Sequence, residues 1–322
     1  MMNLLKHINS KIVNWQMKKG HTFLFGKPYF MVLDTTSFCN LECNCCPTGR
    51  KLNTRTKTTM SLEQISKILN FFGRYLKEII LFNWGEPLLN PNIIDVIKTI
   101  KKYDIFLSIS SNLNVDLTEQ KADELINSGI DYFICSIDGI TQKTYETYRK
   151  KGNFNKAFDN LKLLINSKKK FKTDAPIIEW QFLVFKHNEH EIEQAEKIAK
   201  EIGVDKFNLR APWCPTEMVS TIDKYNNYII DNNKQTFKPV DKYCNWLWNA
   251  IVINANGSVS PCCSVENEDE DFGNIFTTPF YKLWNNKNFR QARKFNITRK
   301  KTDFSNRCTV CEHIGTVNHR CV

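Results

Sequence analysis

From residue 29 the chain alternates short apolar runs with longer segments whose apolar positions recur at helical spacing. The runs at 29–33, 78–82, 105–110, 132–137, 177–184 and 206–209 predict six strands, and helical segments follow the first five. Ser61 with Gln64 makes a capping box before Ile65, Ile68 and Leu69, and Asn188 with Glu191 repeats it before Ile192, Ala195 and Ile198. Pro91, Thr118 and Thr141 mark other helix starts, and the fourth crossover reads as two helices broken near Gly152. Repeated βα units imply parallel strands joined by right-handed crossovers. Six units predict an α/β fold, a partial (β/α)6 TIM-like barrel, with ligands expected at the carboxyl ends of its strands.

Outside that stretch the pattern changes. Leu4, Leu5, Ile8, Ile12 and Trp15 recur on one helical face, which predicts an N-terminal helix lying on the main domain. Residues 213–243 are polar and read as a linker. A hairpin is expected through 249–254 and 258–260, turning at Asn256-Gly257, inside an otherwise loop-rich and cysteine-rich tail. The division is a 1–28 helical extension, a 29–212 core domain, a 213–243 linker and a 244–322 domain that relies on metal.

Composition narrows the class. Apolar residues make up 42% of 322, enough for a packed core, yet no run is long enough to span a bilayer. The first twenty residues lack a signal-peptide core, so a cytoplasmic protein with no membrane partner is expected. The net charge of +11 is spread over Lys-rich stretches, reads as a solvated surface, and comes with no RNA-binding signature. Nucleic acid is therefore not the expected partner. Twelve cysteines without a secretion signal argue for metal or redox chemistry. They cluster at 39–46 and 244–321, with Cys135 and Cys214 isolated, which suggests two metal sites in two domains.

Cys39, Cys43 and Cys46 have C-x3-C-x2-C spacing on the loop after the first strand. Thiolates suit an iron–sulfur cluster or zinc. Three ligands leave one iron of a cubane open, whereas zinc normally takes a fourth, and Cys45 is too close to its neighbours to supply it easily. The loop after the second strand reads Asn83-Trp84-Gly85-Glu86-Pro87, where carbonyls and a carboxylate can accept bonds from an ammonium.

In this order, these loops resemble the radical S-adenosylmethionine (radical SAM) superfamily. The resemblance implies a SAM-binding 4Fe-4S cluster on the three cysteines. It also implies S-adenosylmethionine held by Gly85, Glu86, Pro87, Ser110, Asn112, Ser136, Asp138 and Arg149. Two positions depart from the family pattern: Leu113 where a glycine is common, and Cys45 where an aromatic residue often packs near adenine.

The tail is similar to SPASM/Twitch extensions. The resemblance implies one auxiliary 4Fe-4S cluster on Cys244, Cys262, Cys308 and Cys311, with Cys263 and Cys321 spare and a structural zinc as the alternative. The implied reaction is reductive cleavage of SAM to a 5′-deoxyadenosyl radical that takes a hydrogen atom from substrate. Oxidation of a small molecule, with the auxiliary cluster as electron acceptor, ranks first, because only about 28 residues precede strand one. Alternatives are a sugar or peptide epimerase using Cys214 as hydrogen donor, a peptide-crosslinking enzyme, and a non-catalytic zinc or iron–sulfur scaffold. A flavodoxin- or ferredoxin-type donor is the expected redox partner, drawn by the basic surface.

Overall fold

Helix α1 (Met2–Lys18) leads into a run of short parallel strands: β1 (Phe30–Leu33), β2 (Glu78–Ile80), β3 (Phe106–Ser111), β4 (Tyr132–Ser136), β5 (Ile177–Leu183) and β6 (Lys206–Arg210). The computed structural model describes residues 2–226, 228–231, 234–237, 244–300, 304–309 and 311. Each strand pairs in parallel with its sequence neighbour, and all lie within two residues of the expected runs. The crossovers are α2 (Leu62–Phe72), α3 (Ile93–Lys101), α4 (Glu119–Ile126), the double α5 (Gln142–Tyr148) and α6 (Phe154–Phe171), and α7 (Ile192–Ile202). Ser61 and Gln64 form the expected capping box on α2. Asn188 and Glu191 do not. Asn188 accepts from the Phe185 N–H instead and Glu191 from the Ile140 N–H, so α7 starts after a 3-10 turn.

Strand alternation separates two chemistries. Ile79, Leu107, Ile109, Phe133, Ile178 and Trp180 are buried in the core. On the other face Glu78, Ser108, Ser110, Tyr132, Glu179, Gln181 and Asn208 line a cavity of about 840 Å³. A closed barrel fills its interior with branched apolar side chains. This one is open, and its interior mixes these polar side chains with apolar ones such as Ile80, Phe82 and Ile134, leaving room for a ligand.

Helix α1 forms as expected but is turned over. Its inward face is largely polar: Lys6 Nζ donates to the Tyr103 and Asp104 carbonyls at 2.7 and 2.6 Å. Asn9 exchanges two bonds with the Lys27 backbone, and Gln16 serves Phe23, Phe25 and Gly26. Leu4, Leu5, Ile8, Ile12 and Trp15 consequently face outward. The surface beneath offers carbonyls that need donors, and the polar face answers that need.

The tail joins the sheet. After an antiparallel pair, β7 (Tyr228–Asp231) and β8 (Lys234–Phe237), inside the segment expected as a linker, α8 (Trp246–Asn249) leads to β9 (Ala250–Ile253) and β10 (Val259–Ser260). The β9–β10 turn is at Asn256-Gly257, where Gly257 has φ +82°. β9 pairs in parallel with β1, giving an eight-stranded order β10-β9-β1-β2-β3-β4-β5-β6. α9 (Phe280–Trp284) and α10 (Lys287–Thr298) pack behind it. From α10 the buried Arg293 donates to the Leu247, Thr22 and Trp284 carbonyls, tying the N-terminal segment to the tail.

Candidate functional site

The β1 loop is held from several sides. Asp34 accepts from the Trp84 and Gly85 N–H groups at 3.3 and 3.4 Å, and the Glu86 N–H donates to the Phe38 carbonyl at 2.8 Å. Gly85 is required there, because a Cβ would fall 1.7 Å from the Thr36 carbonyl oxygen. Burial pushes the Asp34 carboxyl up to about 7. Clamped in this way, the loop brings Cys39, Cys43 and Cys46 near enough to feel one another's charge. Burial pushes the Cys39 thiol up to about 12 and the Cys43 thiol to about 11. Among the described residues no three His, Cys, Asp or Glu side chains are spaced for a single ion. Three neighbouring thiols, two of them desolvated, are a donor set that fits a multi-iron cluster, whose cationic irons would favour the thiolates.

The strand-end residues divide into two groups. Ser110, Ser136 and Arg149 line the cavity, and the two serine hydroxyls are 3.1 Å apart. Glu86, Asn112 and Asp138 serve the protein itself. The buried Glu86 carboxylate accepts from the Leu88 and Asn112 N–H groups, and Asn112 Nδ2 reaches Asn40 Oδ1 at 3.1 Å. Pro87 is buried in the 3-10 turn that Glu86 caps. Asp138 accepts from Arg149 Nε and from the Leu183 N–H, both at 2.7 Å. Burial opposes the charge on Arg149, but the adjacent Asp138 carboxylate favours it, so the guanidinium stays cationic at the cavity wall. Tyr148, which the sequence reading missed, also lines the cavity and lies against this guanidinium at 5.2 Å.

Cys214, on the loop after β6, packs with Cys39, Cys43, Cys45 and Cys46. Its thiol hydrogen-bonds with Cys45, and that contact together with burial pushes its titration far up. Cys45 itself lines the cavity and lies 3.6 Å from the Met218 sulfur. No local pattern links residues so far apart in sequence.

In the tail, Cys244, Cys262, Cys308 and Cys311 feel one another's charge, with Cys263 as a further neighbour; Cys321 lies outside the described residues. Burial pushes the Cys244 thiol up to about 11. Asn296 fixes this residue by bonding both its N–H and its carbonyl. Cys263 is buried in a cluster with Val32 of β1 and Ile80 of β2, and Cys244, Cys262 and Phe82 pack against that cluster. Phe82 and Asn83 in turn line the cavity, and the Asn83 amide bridges Trp84 Nε1 and the Cys263 carbonyl. This donor set too is thiol-rich, desolvated and convergent, as an iron–sulfur cluster requires.

Residues 33–195 match the model of the radical SAM superfamily, and residues 244–312 match SPASM, an iron–sulfur cluster-binding domain. Among curated proteins, GTP 3′,8-cyclase of Limosilactobacillus fermentum is 26% identical over 133 residues, 41% of this chain and 40% of that protein. The aldehyde ferredoxin oxidoreductase cofactor-modifying protein of Pyrococcus furiosus is 26% identical over 55% of this chain and 49% of its own length. The chain therefore spans half or less of these two relatives. Among solved structures, Streptococcus suis SuiB bound to S-adenosylmethionine has a TM-score of 0.65 at 15% identity, covering 94% of this chain and 76% of that one. BtrN in complex with AdoMet and 2-DOIA has a TM-score of 0.52 at 18% identity, covering 92% and 97%. At these identities the likeness shows the fold.

Proposed function

The chain belongs to the radical SAM superfamily and carries a SPASM iron–sulfur domain, and from that premise we propose that it oxidises a small polar molecule. Cys39, Cys43 and Cys46 would hold the SAM-binding cluster, and Cys244, Cys262, Cys308 and Cys311 a single auxiliary one. Bound there, the first cluster and SAM supply the hydrogen-abstracting radical, and the auxiliary cluster supplies a one-electron acceptor. The protein's own part is positional. Arg149, oriented by Asp138, would take the SAM carboxylate; carbonyls of the Gly85–Pro87 loop would take its ammonium; Ser110 and Ser136 would take hydroxyls.

The observation that carries the oxidation reading is the shared wall. Phe82 and Asn83 line the cavity, Phe82 packs on the same apolar cluster as Cys244 and Cys262, and Asn83 bonds the Cys263 carbonyl, which supports an acceptor behind this wall. The Ser110, Ser136, Gln181 and Asn208 side chains in a mixed polar and apolar lining suit a small substrate that carries hydroxyls. A flavodoxin-type donor remains the proposed source of electrons. The test is 5′-deoxyadenosine release by the reconstituted chain, challenged separately with small polar metabolites and with peptides. Stimulation by small molecules alone, with loss of two hydrogens from the product, supports the reading. Stimulation by peptides alone overturns it in favour of peptide modification.

One observation favours a second reading. The Cys45–Cys214 thiol contact beside the cavity would suit return of a hydrogen atom to the substrate, giving epimerisation and a thiyl radical that the proposed electron donor and a solvent proton would restore to the thiol. Product made in heavy water would then carry one solvent deuterium, whereas a dehydrogenated product would carry none.

A further inference from the structure

The outward face of α1 is anomalous. Leu4, Leu5, Ile8, Ile12 and Trp15 lie on one side of the helix and are between 37% and 62% exposed. Apolar stripes of this size on a folded surface mark an interaction site. The burial of Lys6, Asn9 and Gln16 holds the helix in this orientation, so the stripe cannot turn inward without losing those bonds.

Charge indicates what covers it. Helix α1 exposes Lys11 and Lys18 and contains no acidic residue, and the exposed Lys19 follows it. The Trp15 and His21 rings meet at 4.9 Å, tilted by 51°, and Gly20 and Thr22 on either side of His21 border a second cavity of about 610 Å³. Lys287, Arg290 and Lys294 of α10 line that cavity, and among the described residues no acidic one does. An aliphatic and aromatic stripe therefore runs directly into a cationic cleft of headgroup size. A nucleic-acid backbone would engage the cleft but leave the stripe uncovered.

We propose that this face docks on an anionic phospholipid surface, with the α1 stripe in the headgroup–acyl boundary and a lipid phosphate in the Lys287–Arg290–Lys294 cleft. This departs from the sequence expectation of no membrane partner. It requires no spanning helix, and none of the described helices is long and apolar enough to span. The docking leaves the barrel mouth and its chemistry as described.

The experiment is flotation of the full, cluster-loaded chain with neutral phosphatidylcholine vesicles and with vesicles containing phosphatidylglycerol. Flotation is expected only with the anionic vesicles, and it should weaken as salt rises. Ile8→Asp combined with Ile12→Asp alters exposed positions, so iron content and circular dichroism should be unchanged while partition falls at least about tenfold. Lys287→Glu combined with Lys294→Glu should give a similar loss. Absent flotation with anionic vesicles, or variants that float like the parent, would overturn the proposal. A concentration-dependent dimer abolished by the isoleucine variants, without vesicle binding, would overturn it in favour of a second copy.

Discussion

Arg149 Nε lies 2.7 Å from Asp138 Oδ2, and that carboxylate has no solvent exposure. Removing one partner of such a pair strands the other charge. Asp138→Asn is therefore expected to cost about 3–5 kcal/mol in anaerobic denaturant titration. SAM affinity by equilibrium dialysis should fall as well, because the guanidinium loses its anchor. Arg149→Lys should not restore binding, since an ammonium cannot reproduce the planar fork.

Asp34 gives a pH signature. Its folded value, about 7, is above the ordinary carboxylate range, so the folded chain holds a proton there that the unfolded chain has already lost. Stability from this group is present at low pH and is lost as pH rises through about 7. Asp34→Asn should flatten that limb of the stability profile and raise the melting temperature at pH above neutrality. An unchanged slope would refute the assignment.

Arg55 joins the first cysteine loop to the tail through a buried pair with Asp271 at 2.8 Å and a bond to the Val265 carbonyl at 2.7 Å. Arg55→Ala should destabilise by about 3–5 kcal/mol. The double variant with Asp271→Ala should cost clearly less than the sum of the singles, because the second change removes the stranded charge.

Cluster stoichiometry separates the two cysteine groups. The reconstituted chain should hold about eight irons. Cys39→Ala should retain about four and lose SAM cleavage; Cys244→Ala should retain about four and keep it. Uptake of stoichiometric zinc with no iron would point to the scaffold alternative.

Gly85→Ala should abolish SAM cleavage, since the added methyl meets the Thr36 backbone and must spread the two loops. Ala at Pro87, buried but without such a clash, should be far milder in the same assay.

The barrel was legible because short runs rich in β-branched and aromatic residues, such as 132–137 and 177–184, alternate with segments at helical spacing, the mark of repeated βα units. The two cysteine-dense regions were legible from their distribution along the chain, while the choice of four in the tail came from the family resemblance. What stayed hidden depends on direction or distance. Glu86 and Asp138 stood in the expected loops, but only packing shows that their carboxylates bind the protein's own amides and Arg149. Apolar periodicity located α1 but could not say which face the carbonyls of Tyr103 and Asp104 would recruit. The β9–β1 pairing and the Cys45–Cys214 contact join residues more than 150 positions apart, beyond any local pattern.

The β9–β1 pairing has a consequence for how the molecule comes apart. A chain cut before Cys244 would bare the ladder edge of β1 along Phe30–Leu33, an apolar strand with no charge to blunt it. The barrel fragment should therefore self-associate instead of surviving as a soluble catalytic unit. Melting of the tail and of the first strand should form a single cooperative step, with the metal-binding tail acting as the barrel's edge guard.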